Sequence, residues 1–416
     1  MKIAIIGAGV AGNTVAYHLH REHDITVFEA GSHIGGHTHT HEIEHQARNY
    51  SVDTGFIVFN DRTYPNFIAL LDELDVAWQP SNMGFSVRDE KTGLEYNGTT
   101  LNSLFAQRRN LLRPSFYRMI RDILRFNQAS LELLAEGPEI KLGDYLAQGV
   151  YSREFINNYI VPMGSAIWST EPRQMMEFPA RFFVRFFHHH GMLSVNNRPQ
   201  WRVIKGGSAS YVNALTAGFR SRIRVNTPVT SVRRLKDSVK ITPQHGEEES
   251  FDWVFFACHS DQSLTMLSDA SAQEREILAA IPYQENAIVL HSDRSLLPKR
   301  KLAWAAWNYH VTPQPSERVA VTYNMNILQG FDAPEPLLVT LNHTHGINPA
   351  KIIKRLTYHH PVYTTAGAAA QARHSEISGV NRSGYCGAYW RNGFHEDGVV
   401  SALAALQHFR DAQSRA

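Results

Sequence analysis

The most constraining feature of this sequence is its opening. Met1-Lys-Ile-Ala-Ile-Ile6 is a short apolar strand that runs into Gly7-Ala-Gly9-Val-Ala11-Gly12, a G-x-G-x-x-G turn. A helical stretch follows, and Ile25-Thr-Val-Phe-Glu29 returns as a second strand ending on an acid. In such a βαβ unit Gly7 permits the tight turn, Gly9 lets the backbone approach a pyrophosphate, and Gly12 lets the helix pack closely on the sheet. The helix N-terminus, with Ala11 in its first turn, is aimed at the phosphates. Glu29, 17 residues after Gly12, is placed to hydrogen-bond a ribose hydroxyl. Strand, turn, helix and acid together imply that the chain binds an adenine dinucleotide.

The remaining composition sets bounds on what else it does. With 416 residues, 43% hydrophobic and 19% charged, the chain has enough apolar material for two domains with their own cores. A formal charge of +2 gives no reason to expect a nucleic-acid partner. Cys258 and Cys386 make no disulfide framework and form no C-x-x-C, which fits a reducing, cytoplasmic setting. The apolar run from Ile3 to Ile6 is too short for a signal peptide, and no apolar stretch is long enough to span a membrane.

Six positions beyond Glu29 comes Gly35-Gly36-His37-Thr38, a second close backbone approach that nicotinamide domains do not usually need. Here the sequence resembles the flavin amine oxidase superfamily, which includes monoamine and polyamine oxidases, protoporphyrinogen oxidase and phytoene desaturases. That resemblance implies FAD as cofactor. In the superfamily a Gly-Gly-Arg element closes over the FAD pyrophosphate. His37 stands in place of that arginine, so the contact is expected to be weaker or pH-dependent.

The resemblance continues along the chain. Tyr50-Ser-Val-Asp53-Thr-Gly55-Phe56 is similar to the segment that runs past the flavin. Lys205-Gly206-Gly207-Ser208 leads into a helix expected over Tyr211 to Phe219. Val229 is similar in position to the backbone that meets the adenine. Asp252-Trp-Val-Phe-Phe-Ala-Cys258 reads as a buried parallel strand. Gly384 to Gly398 resembles the family's closing strand and loop, bringing Gly387, Asp397 and Val399 to the cofactor ahead of a helix expected over Val399 to Arg410. The fold expected is therefore α/β: a discontinuous, Rossmann-like FAD domain (1–59, 199–264 and 371–416) with an α+β substrate domain built from two insertions (60–198 and 265–370). Within the superfamily, Gly-Gly-His-Thr, Asp-Thr-Gly-Phe-Ile-Val-Phe-Asn, Trp-Asn-Tyr and Gly-Phe-His-Glu-Asp-Gly are similar to a bacterial group of FAD-dependent oxidoreductases connected with fatty-acyl desaturation.

Such a reaction needs a C–H bond held against the flavin with water excluded, and few acid–base residues. By the resemblance, Tyr389 and Trp390 face the flavin. His395 and Glu396, in the loop feeding the last helix, are a titratable pair that could tune flavin or substrate protonation, against a reading in which Asp397 merely caps that helix. Phe394 falls where an amine oxidase would place a cage tyrosine, which counts against simple amine oxidation. Lys299 and Lys301 are the candidates for the family lysine, with surface charges as the plainer reading. Trp304-Ala-Ala-Trp307-Asn308-Tyr309 reads either as a tunnel wall or as a packed strand, and Asn308 would need its own partner if buried. His37, His39 and His41 alternate and His188-His189-His190 are adjacent, but no carboxylate or cysteine sits at ligand spacing, so no metal is expected.

Pro114 to Phe126 has the periodicity of an amphipathic helix, with Phe116, Met119, Ile120, Ile123 and Leu124 on one face and Arg118, Arg121 and Arg125 on the other. Arg108, Arg109 and Arg113 make the whole 108–125 stretch basic. It reads as a solvated surface helix or as a peripheral contact with anionic lipid headgroups. The expected activity is FAD-dependent dehydrogenation of a largely apolar substrate, a fatty-acyl or polyisoprenoid chain, with amine oxidation and a non-redox, pyranose-mutase type of flavin use as alternatives.

Overall fold

The structure, a computed structural model, describes residues 1–135, 137–196, 198–312 and 318–415. Five short apolar strands form one parallel sheet, in the spatial order Ile223–Arg224, Asp24–Phe28, Lys2–Ile6, Trp253–Phe256 and Ser383–Tyr385. A parallel sheet has to be covered on both faces, and its residues show it: Ala4, Ile5, Val27 and Val254 have no exposed surface. One face packs on the first helix, Val10–Leu19, and the last, His395–Arg415, through Val15, Ala402, Ala405 and Phe409. The other face meets a three-stranded antiparallel sheet of Val229–Arg234, Val239–Pro243 and Glu249–Phe251, with the helix Ala272–Ala279 beside it.

The second layer is a seven-stranded sheet, ordered Ile352–Pro361, Tyr283–His291, Leu338–Leu341, Ala320–Asn324, Trp307–Val311, Phe85–Asp89 and Leu94–Asn97. Its pairs are antiparallel except that Trp307–Val311 runs parallel to Phe85–Asp89, which joins two distant stretches of chain in one sheet. A helical layer packs on it, including Pro114–Ala129 and Ala180–His189, over an aromatic core of Phe126, Phe155, Trp168, Phe178, Phe183 and Phe187.

Several expected boundaries move. The last helix starts at His395 rather than Val399, because the Asp397 carboxylate reaches back and accepts from the Phe394 N–H at 2.9 Å. The helix expected over Tyr211 to Phe219 occupies Ala209–Thr216. Within Pro114–Ala129 the buried stripe runs through Phe116, Met119, Asp122 and Phe126, and Leu124 is left 49% exposed. Of the run Trp304 to Tyr309, only the part from Trp307 onward is strand. Trp304 lies in the preceding turn and donates its indole N–H to the Pro298 carbonyl at 2.7 Å. Asn308 is fully buried and fully partnered: it accepts from Ser86 Oγ at 2.8 Å and donates to the carbonyls of Ala305 and Thr322.

A buried ion pair fastens the parallel sheet to its covering layer. Arg234 pairs with Glu274, both side chains 2% exposed, and Arg234 Nε also reaches Asp269 at 3.0 Å. Glu274 further accepts from the Tyr385 hydroxyl at 2.7 Å and the Ser271 N–H at 2.8 Å. Burial alone would raise the Glu274 carboxyl, but these donors, Arg234 first, hold it down to about 2. A carboxyl lowered on folding adds stability that is complete above its unfolded value near 4.5 and is lost as the pH falls toward 2. Glu274→Ala is therefore expected to cost about 3–5 kcal/mol at neutral pH by stranding Arg234. The variant should also show a flatter loss of stability between pH 4.5 and 2. Urea melts of both proteins across that range check both statements.

Candidate active site

The glycine turn is built as tightly as its sequence implies. Gly7 has φ +107°, and a Cβ there would lie 2.6 Å from the Ala257 carbonyl oxygen. A Cβ on Gly12 would lie 1.9 Å from the Gly7 carbonyl oxygen, so no other residue lets the first helix start so close to the sheet. Gly9 is the opposite case. Nothing lies within 4 Å of the space its Cβ would fill, and that space opens into a cavity. The helix that begins there has no side-chain cap and no acid in its first turn, leaving its first N–H groups for a ligand.

Glu29 fixes the rim. Its carboxylate accepts from the Ala8 N–H at 2.8 Å and from the Gly31 N–H at 2.7 Å, tying the turn to the end of the second strand. Gly35 donates to the Ala8 carbonyl at 2.8 Å and pairs with Gly9. The His37 carbonyl accepts from the Phe56 N–H at 2.7 Å, with Gly55 pressed against it. Gly7, Gly9, Ala11, Glu29, Gly35, Gly36, His37, Gly55, Phe56, Val229, Gly387, Tyr389 and His395 all line one cavity of about 900 Å³. Sequence positions from both ends and the middle of the chain thus converge on it.

Other expected site residues do not reach it. Trp390 is buried in the neighbouring core against the His374 ring, 4.3 Å between centroids, and does not line the cavity. Glu396 is a helix cap: its carboxylate accepts from the N–H of Asn66 and Phe67 and from Asn66 Nδ2, at the start of the helix Pro65–Glu73. Glu396 thus faces the start of that helix and does not line the cavity, so it does not join His395 there. Gly12, Asp397 and Val399 are likewise absent from the wall; Val399 packs in the core around Phe67, and burial pushes the Asp397 carboxyl up to about 6. Lys299 and Lys301 are exposed and away from the cavity.

His395 holds the site together. Its ring stacks on Phe56 with 3.5 Å between centroids, and its Nε2 is 2.7 Å from the Tyr211 hydroxyl and 2.9 Å from Thr38 Oγ1. Burial lowers its pKa well below the ordinary histidine value. The same cause brings His37 to about 4 and His259 and His360 to about 3, so these three imidazoles are neutral at pH 7. Of the histidines first considered for a metal, His39 stacks on the ring of His33 at 3.8 Å. Among the described residues no group of three or more His, Cys, Asp or Glu is arranged to hold a metal ion.

Of the run Trp304 to Tyr309, read as a tunnel wall or a packed strand, Trp307 alone lines the cavity; the rest of its apolar wall is what sequence reading missed. Ile57, Ile288, Trp307, Tyr323 and Leu341 come largely from the seven-stranded sheet, and Trp168, Tyr363 and Phe394 from the helical side. The strand-period alternation in Tyr358 and His360, which both line the cavity, was the available signal. No lysine or arginine lies among the described lining residues. Five lining side chains carry buried polar atoms without a hydrogen-bond partner: His37 Nε2, Trp307 Nε1 and the hydroxyls of Tyr283, Tyr363 and Tyr389. Orphans on a cavity wall, beside a cradle a Cβ would fill, fit a large group with polar edges.

The family model described as "Flavin containing amine oxidoreductase" matches residues 10–292, more than half of the chain. No curated protein matches the sequence. Among solved structures, cyclohexylamine oxidase from Brevibacterium oxydans IH-35A is 14% identical with a TM-score of 0.71, covering 99% of each chain. A protoporphyrinogen oxidase-like protein from Exiguobacterium sp. 255-15 is 16% identical with a TM-score of 0.70, also over 99% of each chain. A CLA-producing fatty acid isomerase from P. acnes is 16% identical with a TM-score of 0.67, covering 98% of each. At these identities the likeness is one of fold, and it extends from end to end. FAD is the group that the glycine cradle and the orphaned wall atoms fit, and this chain belongs to the flavin-containing amine oxidoreductase family as an FAD-dependent oxidoreductase.

Proposed function

We propose that the protein dehydrogenates a largely apolar substrate, a fatty-acyl or polyisoprenoid chain, introducing a carbon–carbon double bond. Bound FAD supplies the two-electron hydride acceptor, later reoxidised by O₂ or another acceptor. The reading rests on one observation: the wall formed by Ile57, Ile288, Trp307, Tyr323 and Leu341 is apolar, and no cationic side chain lines the cavity among the described residues. Such a wall binds by removing apolar surface from water, about 25 cal/mol for each Å².

In this reading Gly9, Gly36 and the N-terminus of Val10–Leu19 hold the pyrophosphate, and Glu29 holds the ribose. Val229 backs the adenine. His395, locked by Phe56, Tyr211 and Thr38, positions the loop from Gly387 to Phe394. The aromatic faces of Trp168, Tyr363 and Phe394 exclude water and orient the chain. Loss of a hydride from one carbon requires loss of a proton from the next. The neutral imidazole of His37 is the acceptor we assign, because its Nε2 is buried and has no partner.

Amine oxidation is the second reading: Tyr363 puts one aromatic ring on the wall, while Phe394, in place of a cage tyrosine, counts against it. A mutase acting on a sugar nucleotide would call for arginines against the phosphates, and this wall offers none among its described residues. The test is anaerobic mixing of the holoprotein with acyl lipids, isoprenoids and amines while flavin absorbance is followed. Bleaching by an acyl or isoprenoid substrate, with a product lacking two hydrogens, is the expected result. Bleaching by amines alone, with peroxide released on admitting air, would overturn it in favour of the second reading.

A further inference from the structure

The helix Pro114–Ala129 is two-faced, and its outer face is unusual. Inward, Phe116 and Met119 join the core that contains the cavity-wall residues Ile57, Ile288 and Tyr323. Outward, it presents Arg118, Arg121 and Arg125, with side chains 51%, 75% and 44% exposed. Beside these arginines large apolar side chains stand in solvent. Leu112 is 88% exposed, Val150 82% and Leu101 78%, with Leu111, Tyr117, Leu124 and Leu131 each above 40%. Seven of the thirteen exposed large hydrophobic residues of the described chain fall in this one stretch, 101–150.

They form one surface rather than scattered points. The Tyr117 hydroxyl donates to the Leu111 carbonyl at 3.1 Å, and the Phe105 ring lies 6.0 Å from Tyr117. Arg108 donates to the Phe105 carbonyl at 2.8 Å and to Asn102 Oδ1 at 2.6 Å. On the far side Arg125 Nη2 donates to the Val150 carbonyl at 3.3 Å. Val150 has φ +50°, a left-handed backbone that β-branched residues avoid, and it is held there with its side chain outward. A depression of about 390 Å³ opens between Arg118, Arg121 and Arg153.

Between 108 and 125 there are six arginines and a single acid, Asp122, which is buried and accepts from the Ser152 N–H at 2.9 Å. Asp122 also lies 3.3 Å from Arg125 and 3.9 Å from Arg121, and Glu154 lies 3.2 Å from Arg118, so two acids stand against the six arginines. The chain as a whole carries only +2, so this face concentrates its positive charge. An acidic protein or a nucleic acid would be met by the arginines but gives no reason for leucines and a strained valine to project beyond them. A bilayer with anionic headgroups accounts for both.

We propose that this face docks on an anionic lipid bilayer, with Leu112, Tyr117, Leu124 and Val150 entering the acyl boundary and the arginines at the phosphates. No helix among the described residues is long and apolar enough to cross a membrane, so the contact is peripheral. The proposal stands on the surface alone and holds whatever the cavity oxidises. The test is co-sedimentation of the holoprotein with vesicles of phosphatidylcholine, with and without phosphatidylglycerol, at low and at 0.5 M salt. Binding is expected only with phosphatidylglycerol and should fall with salt. Arg121→Glu is expected to weaken it about 25-fold, about fivefold for each unit of charge. Leu112→Asp with Val150→Asp should weaken it at least tenfold at unchanged flavin content. No binding, or equal binding to both vesicles, would overturn the proposal in the wild-type protein without any variant. Sensitivity to Arg121→Glu but not to the leucine and valine changes would also overturn it, marking a surface for a soluble polyanion.

Discussion

Replacing Glu29 with alanine is expected to weaken FAD binding at least hundredfold, so that the variant loses its visible flavin bands on gel filtration. The carboxylate does two things in this fold. It already accepts from the N–H groups of Ala8 and Gly31, which fixes the distance between the glycine turn and the end of the second strand. In the proposed reading its position on the cavity rim also makes it the acceptor for a ribose hydroxyl. Charge-assisted bonds of this kind contribute roughly 1.5–3 kcal/mol each. The direct loss is the bond to the ribose; the turn, no longer held at Ala8 and Gly31, must in addition be ordered on binding, and the two costs together reach about 3 kcal/mol or more, a hundredfold or greater in affinity. Glu29→Gln should fall between, because one amide oxygen cannot replace two carboxylate oxygens facing two N–H donors. Fluorescence titration of apoprotein with FAD measures all three constants. A Glu29→Ala protein that binds as tightly as wild type would show that the rim contact contributes nothing, and the glycine turn would then have to carry the whole affinity.

That prediction was legible in the sequence because the dinucleotide turn is written in contiguous residues. Gly7, Gly9 and Gly12 are demanded by backbone approaches of a few ångströms within one turn, and Glu29 lies one short helix and strand away. Contacts made across the chain leave no such record. Glu396 looks like a free acid in a functional loop, yet it caps a helix that begins at Pro65, 330 residues from it in the case of Asn66. Trp390 follows Tyr389 directly and their rings lie 5.1 Å apart in one core cluster, but only Tyr389 reaches the cavity. The Arg234–Glu274 pair gave no sign, since two charged residues in separate elements read as surface until burial brings them together. Of the apolar wall only Trp307 was offered by a local run; the rest is largely assembled by pairing Tyr283–His291, Leu338–Leu341, Ala320–Asn324 and Trp307–Val311, and register between distant strands is set by packing rather than by any local motif. Leu124 belongs to the same class, because which residues of an amphipathic stripe are covered depends on the neighbour laid against it.

The charge of the cavity yields the sharpest expectation about its substrate. For a chain short enough to be taken in whole, the free acid should be turned over at least a hundredfold less efficiently than its neutral ester at pH 8. The lining contains the carboxylates of Glu29 and Asp261 and no lysine or arginine among its described residues. His37, His259 and His360 cannot compensate: burial holds His37 to about 4 and the other two to about 3, well below working pH. Burying an unpaired carboxylate costs several kcal/mol, and about 2.7 kcal/mol already amounts to a hundredfold in kcat/KM. The pH dependence fixes the sign. As pH falls from 8 toward 5, the neutral form of the acid rises about tenfold per unit, so its kcat/KM should climb toward that of the ester, which stays flat. Parallel pH profiles of acid and ester measure this. Equal values at pH 8 would mean that the carboxylate never enters the cavity or finds a cation there, and either outcome would remove the main support for an apolar substrate.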